Sequence, residues 1–105
     1  MNTRLNEILS AINGLYTYDD DIARHYISLI NEAIDLLRGL ETHPTSLLDN
    51  AKNEALTELS NELNNRMDEN FFHAPFERRK NDFKISKMLV GVSIGNVISE
   101  MTPAE

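Results

Sequence analysis

A chain of 105 residues without a single cysteine amounts to one domain, and it rules out disulfides, thiolate zinc sites and thiol nucleophiles together. The formal charge of −7 works against nucleic-acid binding by the molecule as a whole, because neutralising phosphates takes an excess of lysine and arginine. With 41% hydrophobic residues, a single domain over residues 1–105 can bury a core without a metal or a crosslink.

Leu5, Ile8, Leu9, Ile12 and Leu15 recur at steps of three and four, which predicts an amphipathic helix over Thr3 to Leu15, weakened at its end by Gly14. Tyr16-Thr17-Tyr18 is a short connection. Asp19, Asp20 and Asp21 then open a second helix, where carboxylates cap free N–H groups and complement the helix dipole. Its stripe is Ile22, Tyr26, Leu29, Ile30, Ala33, Leu36, Leu37 and Leu40, with Arg38 and Gly39 as stop signals.

After the loop Glu41-Thr42-His43-Pro44, Ser46 and Asp49 resemble a capping box with aspartate in place of glutamate. The third helix is expected to run to about Asp68 on Leu48, Ala51, Ala55, Leu56, Leu59 and Leu63. Glu54, Glu58 and Glu62, spaced by four, are read as an acidic ladder on its outer face. Phe71, Phe72 and Phe76 flank Pro75 and are expected to close one end of the core, with Pro75 at a first helical position.

The last segment, Phe76 to about Met101, reads as a helix of two halves. The first is charged and the second, Met88 to Ile98, is apolar nearly all round, which implies burial on several sides. A strand there would lack a partner, since only helices precede it. Met88 to Ile98 is about half the ~20 residues that span a bilayer, and Arg4 and Glu7 interrupt any leader-like apolar run. The expected fold is therefore all-α: a four-helix antiparallel bundle with a hydrophobic C-terminal helix, in a cytoplasmic protein.

Charge is segregated along the chain. From Asp19 to Glu69 twelve carboxylates face Arg24, Arg38, Lys52 and Arg66, whereas Arg78, Arg79, Lys80, Lys84 and Lys87 crowd into ten residues. Opposite potentials of this kind steer encounters between macromolecules. Glu54, Glu58 and Glu62 are the candidate contacts for a protein partner with a basic surface. Arg78, Arg79 and Lys80 are the candidates for an acidic partner, with pairing to the second or third helix as the alternative. Gly91 and Gly95 permit close helix approach, within the chain or in a homodimer.

Catalytic constellations are sparse. His25, His43 and His73 share no metal-binding frame, and the consecutive aspartates 19–21 lack the alternating oxygen ligands of a calcium loop. No cofactor is expected. Arg66 and His73, with six residues between them, resemble the Arg…His motif of HEPN ribonucleases, small helical bundles in which the two residues flank the scissile phosphate across a dimer. The resemblance gives Arg66 and His73 those roles, although Met67 stands where that family usually carries a polar residue. In size and layout the chain also resembles four-helix bacteriocin immunity proteins. The expected function is non-enzymatic: a small acidic protein that binds and modulates a macromolecular partner, as a regulator, inhibitor or immunity-type protein. A HEPN-like ribonuclease or toxin-antitoxin component, and a structural homo-oligomeric bundle, are the alternatives.

Overall fold

The computed structural model describes residues 2–67 and 72–101, with four helices: α1 (Asn2–Asn13), α2 (Asp20–Arg38), α3 (Leu47–Met67) and α4 (Phe76–Met101). They pack in a ring, each against its chain neighbour and α4 against α1. Side-chain contacts give the directions. Arg4, early in α1, clasps Glu32 in the second half of α2. Lys52, early in α3, donates to the Leu40 carbonyl just past α2 (2.7 Å). Lys87 in α4 reaches back to the Leu15 carbonyl beyond α1. Neighbours therefore run antiparallel, and the diagonal pair α2 and α4 runs parallel, with Asp20 meeting Arg79 and Tyr26 meeting Ser86. This is the up-down bundle expected, 46 × 23 × 18 Å in extent.

The helix ends follow local chemistry. The Asp19 carboxylate accepts the Ile22 N–H (2.8 Å) and caps α2, and Asp20 and Asp21 occupy its first turn. Gly39 ends α2 with φ −82°, so this stop uses none of glycine's left-handed freedom. Before α3 only half of a capping box forms. Ser46 Oγ accepts the Asp49 N–H (3.0 Å), whereas the Asp49 carboxylate takes the Thr42 hydroxyl (2.7 Å). Thr45, just before this cap, has φ 69°, an uncommon left-handed backbone for a β-branched residue. Pro75 sits one residue earlier than expected, as the α4 cap, its carbonyl accepting the Arg79 N–H (3.1 Å).

The core runs the length of the bundle: Leu5, Ile8 and Ile12 from α1, Tyr26, Ile30 and Leu37 from α2, Ala55 and Leu59 from α3, and Val90, Ile94 and Val97 from α4. Near one end, the Phe83 ring packs against those of Tyr18 and Tyr26, each at 5.1 Å, a geometry that adds to area burial. Phe76 leans on Tyr18 (5.6 Å) but stays partly exposed, and Phe72 is half-buried against the core. Phe71 and the expected helix end at Asp68 lie outside the described residues.

Burial of the Met88–Ile98 segment on several sides does not occur. α4 buries one face, Phe83, Ser86, Val90, Ile94 and Val97, because a helix at the edge of a four-membered ring meets only its neighbours and the diagonal helix. The opposite face of the same apolar segment remains in water.

Candidate protein-interaction surface

Ile85, Met88, Leu89 and Val92 follow one another at steps of three, one and three along α4, which sets them on a single strip. They are 56%, 69%, 44% and 64% exposed. Single exposed apolar residues are ordinary; a contiguous strip of four large ones on one helix face is not. Asn81 and Arg78 continue the strip toward the start of α4, and Asn96 continues it toward the end; all three are exposed. A side chain at Gly95 would meet nothing within 4 Å, so a neighbouring helix can approach closely there. Gly91 takes the within-chain alternative. It lies against α1 of its own chain, where an added Cβ would meet Asn13 Oδ1 at 3.7 Å and Leu9 Cδ1 at 3.8 Å.

The basic window divides by helix face. Arg79 turns inward to pair with Asp20, its guanidinium 6.0 Å from the centre of the Tyr18 ring and 5.8 Å from that of Phe76. It thus pairs with α2 at the α2–α4 end, the intramolecular alternative to an acidic partner. Lys87 lies 5.0 Å from the Phe83 ring centre. Burial, with Lys84 close by, holds its ammonium below the usual lysine range. Half-buried Lys80 and exposed Lys84 share with Lys87 a cavity of about 20 Å³ beside the 16–18 loop. Arg78 alone of the three candidate cations stands fully on the outer strip.

The acidic ladder also divides. Glu54 is exposed and Glu58 half-buried, but Glu62 is 7% exposed and binds Arg66 Nη2 at 3.2 Å. Its reading as an outer-face residue is corrected by geometry: four residues overshoot a helical turn by about 40°, so two steps carry the ladder from solvent to core. The outer face of α3 instead presents Asn50, Asn53, Thr57, Asn61 and Asn64. Glu54 overlooks a groove of about 330 Å³ between α3 and the end of α4, where Asn96, Ser99 and Glu100 line the other wall. Leu47, in the same groove, is 71% exposed. Glu54 of α3 and Glu100 of α4 thus meet at one end of the molecule, a juxtaposition the linear sequence does not display, and the basic window lies at the other end.

Inside the bundle one hydroxyl pair joins α2 to α4. Tyr26 Oη and Ser86 Oγ are 2.7 Å apart, and burial pushes the Tyr26 phenol well above the usual range. Arg66, the expected ribonuclease arginine, is buried and held by Glu62, whereas His73 is exposed. The three aspartates have separate protein duties: Asp19 caps α2, Asp20 meets Arg79 and Asp21 meets Arg24 at 3.0 Å. Among the described residues no group of three or more acidic or histidine side chains is placed to hold a metal ion. No described helix is long and apolar enough to cross a membrane.

The fold and this surface define an all-α, four-helix protein with one apolar strip in solvent. No protein-family model matches the chain, and no curated protein or solved structure is significantly similar to it.

Proposed function

We propose that this protein is a non-catalytic binding protein, a small cytoplasmic regulator, inhibitor or immunity-type module that acts by covering part of a macromolecular partner with the outer face of α4. The observation that carries this reading is the exposed strip Ile85, Met88, Leu89 and Val92. Each such side chain contributes roughly 1.5–3 kcal/mol when it leaves water, so the strip is a source of affinity that the folded chain does not spend on itself. Its polar borders supply specificity. Glu54, Glu58 and Glu100 offer carboxylates to a basic group of the partner, and Arg78, Lys80 and Lys84 offer cations to an acidic one. A cytoplasmic setting accords with a cysteine-free chain.

The test is capture from native cells with wild-type protein and with Leu89→Glu/Val92→Glu. Both positions are exposed, so the variant should keep wild-type helical circular dichroism. At least one protein enriched by the wild type should fall about tenfold or more with the variant, the effect expected where apolar anchors dominate an interface. Identical capture profiles from the two proteins would sink the proposal.

A further inference from the structure

The outer strip of α4 has a property that goes beyond exposure: it is palindromic. Outward from the midpoint between Met88 and Leu89, one arm visits Met88, Ile85, Asn81 and Arg78, and the other visits Leu89, Val92, Asn96 and Ser99. Both arms step by three, four and three residues, and both pass from two apolar residues to two polar ones. A two-fold axis through that midpoint lays one α4 antiparallel on another. Ile85 then faces Val92 of the partner subunit, Met88 faces Leu89 of the partner subunit, and Asn81 faces Asn96 of the partner subunit, amide to amide. The spacing belongs to any helix face; what a closed isologous interface adds is the match of residue types, apolar to apolar at the centre and amide to amide at Asn81 and Asn96.

Charge supports the same arrangement. The axis carries Arg78 of one copy to the far end of the other α4. That end is the acidic groove where Glu54 and Glu100 stand beside Asn96. The chain is strongly acidic overall, so two copies repel unless their basic and acidic ends are matched. The antiparallel register matches them twice, once at each end. Gly95, with open space above it, lets the partner helix come close beside the apolar centre.

We infer that the occupant of this face is a second copy of the chain, docked α4 on α4 in antiparallel two-fold register with Arg78 in the partner's Glu54–Glu100 groove. This rests on the reading of the α4 face as a recognition surface: the second copy holds that face reversibly, and the macromolecular partner displaces it. The strip from Arg78 to Ser99 is about 33 Å long at 1.5 Å per residue. One helix face of that length lies at the small end of specific interfaces, so the dimer should be reversible, with dissociation on the order of micromolar.

Sedimentation equilibrium of the full chain between about 5 and 500 µM tests it, in a range set by that expected affinity. The wild-type mass should climb from the 12.0 kDa of one chain toward twice that value. Arg78→Glu, which sets two carboxylates into acidic grooves, should move the monomer–dimer midpoint up by roughly tenfold. Arg78→Glu/Glu100→Arg should recover most of that loss. All of these positions are exposed, and unchanged circular dichroism confirms folding of each variant. A wild-type mass that stays at one chain throughout, an Arg78→Glu midpoint equal to wild type, or a double variant no better than the single one overturns the self-pairing. A monomer that still loses a different captured protein through Leu89→Glu/Val92→Glu overturns the self-pairing and leaves the recognition surface standing.

Discussion

Arg66→Met should lower the unfolding free energy by about 3–5 kcal/mol, the range for stripping a buried ion of its partner. The Glu62 and Arg66 side chains are each 9% exposed, one helical turn apart on α3, with N···O 3.2 Å. Methionine fills much of the arginine's volume but offers nothing to the carboxylate, which stays among Tyr26 and the α2–α4 core. A domain with a total stability of about 5–15 kcal/mol cannot absorb such a loss quietly. Glu62→Leu/Arg66→Met should regain most of it, because a matched apolar pair replaces a matched ionic one at little net cost. Urea titrations with a common slope measure both values. A loss below about 1 kcal/mol for the single change, the level of an exposed pair, would show that the pair lies in water.

The second large effect is at Tyr26, the bulkiest side chain that is fully buried. It spans from α2 to α4, with its hydroxyl on Ser86 and its ring edge-on to Phe83 at 5.1 Å. Tyr26→Ala should cost about 3–5 kcal/mol through the cavity it leaves. Tyr26→Phe should cost only about 1–2 kcal/mol, the loss of a partner for the buried Ser86 hydroxyl. Thermal unfolding of both variants separates packing from hydrogen bonding. Equal losses for Phe and Ala would mean that the hydroxyl pair, rather than the ring, holds α2 to α4.

These two sites mark the boundary of what a sequence reading reaches. α2 was legible almost completely: the stripe Tyr26, Leu29, Ile30, Ala33 and Leu37 is buried, and Asp19 is its cap. There the apolar period, the capping residues and the charges all agree. α3 is weakly amphipathic, and its glutamates repeat every four residues rather than every 3.6, so the ladder drifts from Glu54 in solvent to Glu62 in the core. An Arg66 four residues after Glu62 signals a pair, but only the assembled bundle shows it buried. Met88–Ile98 is apolar nearly all round, so periodicity does not choose which side turns inward. The ring of helices chooses Val90, Ile94 and Val97, and leaves Met88 and Val92 outside. The duties of Arg79 and Ser86 depend on α2 and α4 lying parallel across the bundle, a contact between residues about sixty positions apart.

That the outer face of α4 is where this protein meets its partner is tested most directly by photo-cross-linking in cells. A photo-reactive phenylalanine analogue is placed at Val92, on the strip, and in a second protein at Asn61, on the exposed asparagine face of α3. The account predicts a discrete cross-linked product from Val92 and none from Asn61, with the Val92 product having twice the mass of the 12.0 kDa chain. No product from Val92, or the same product from both positions, would contradict it.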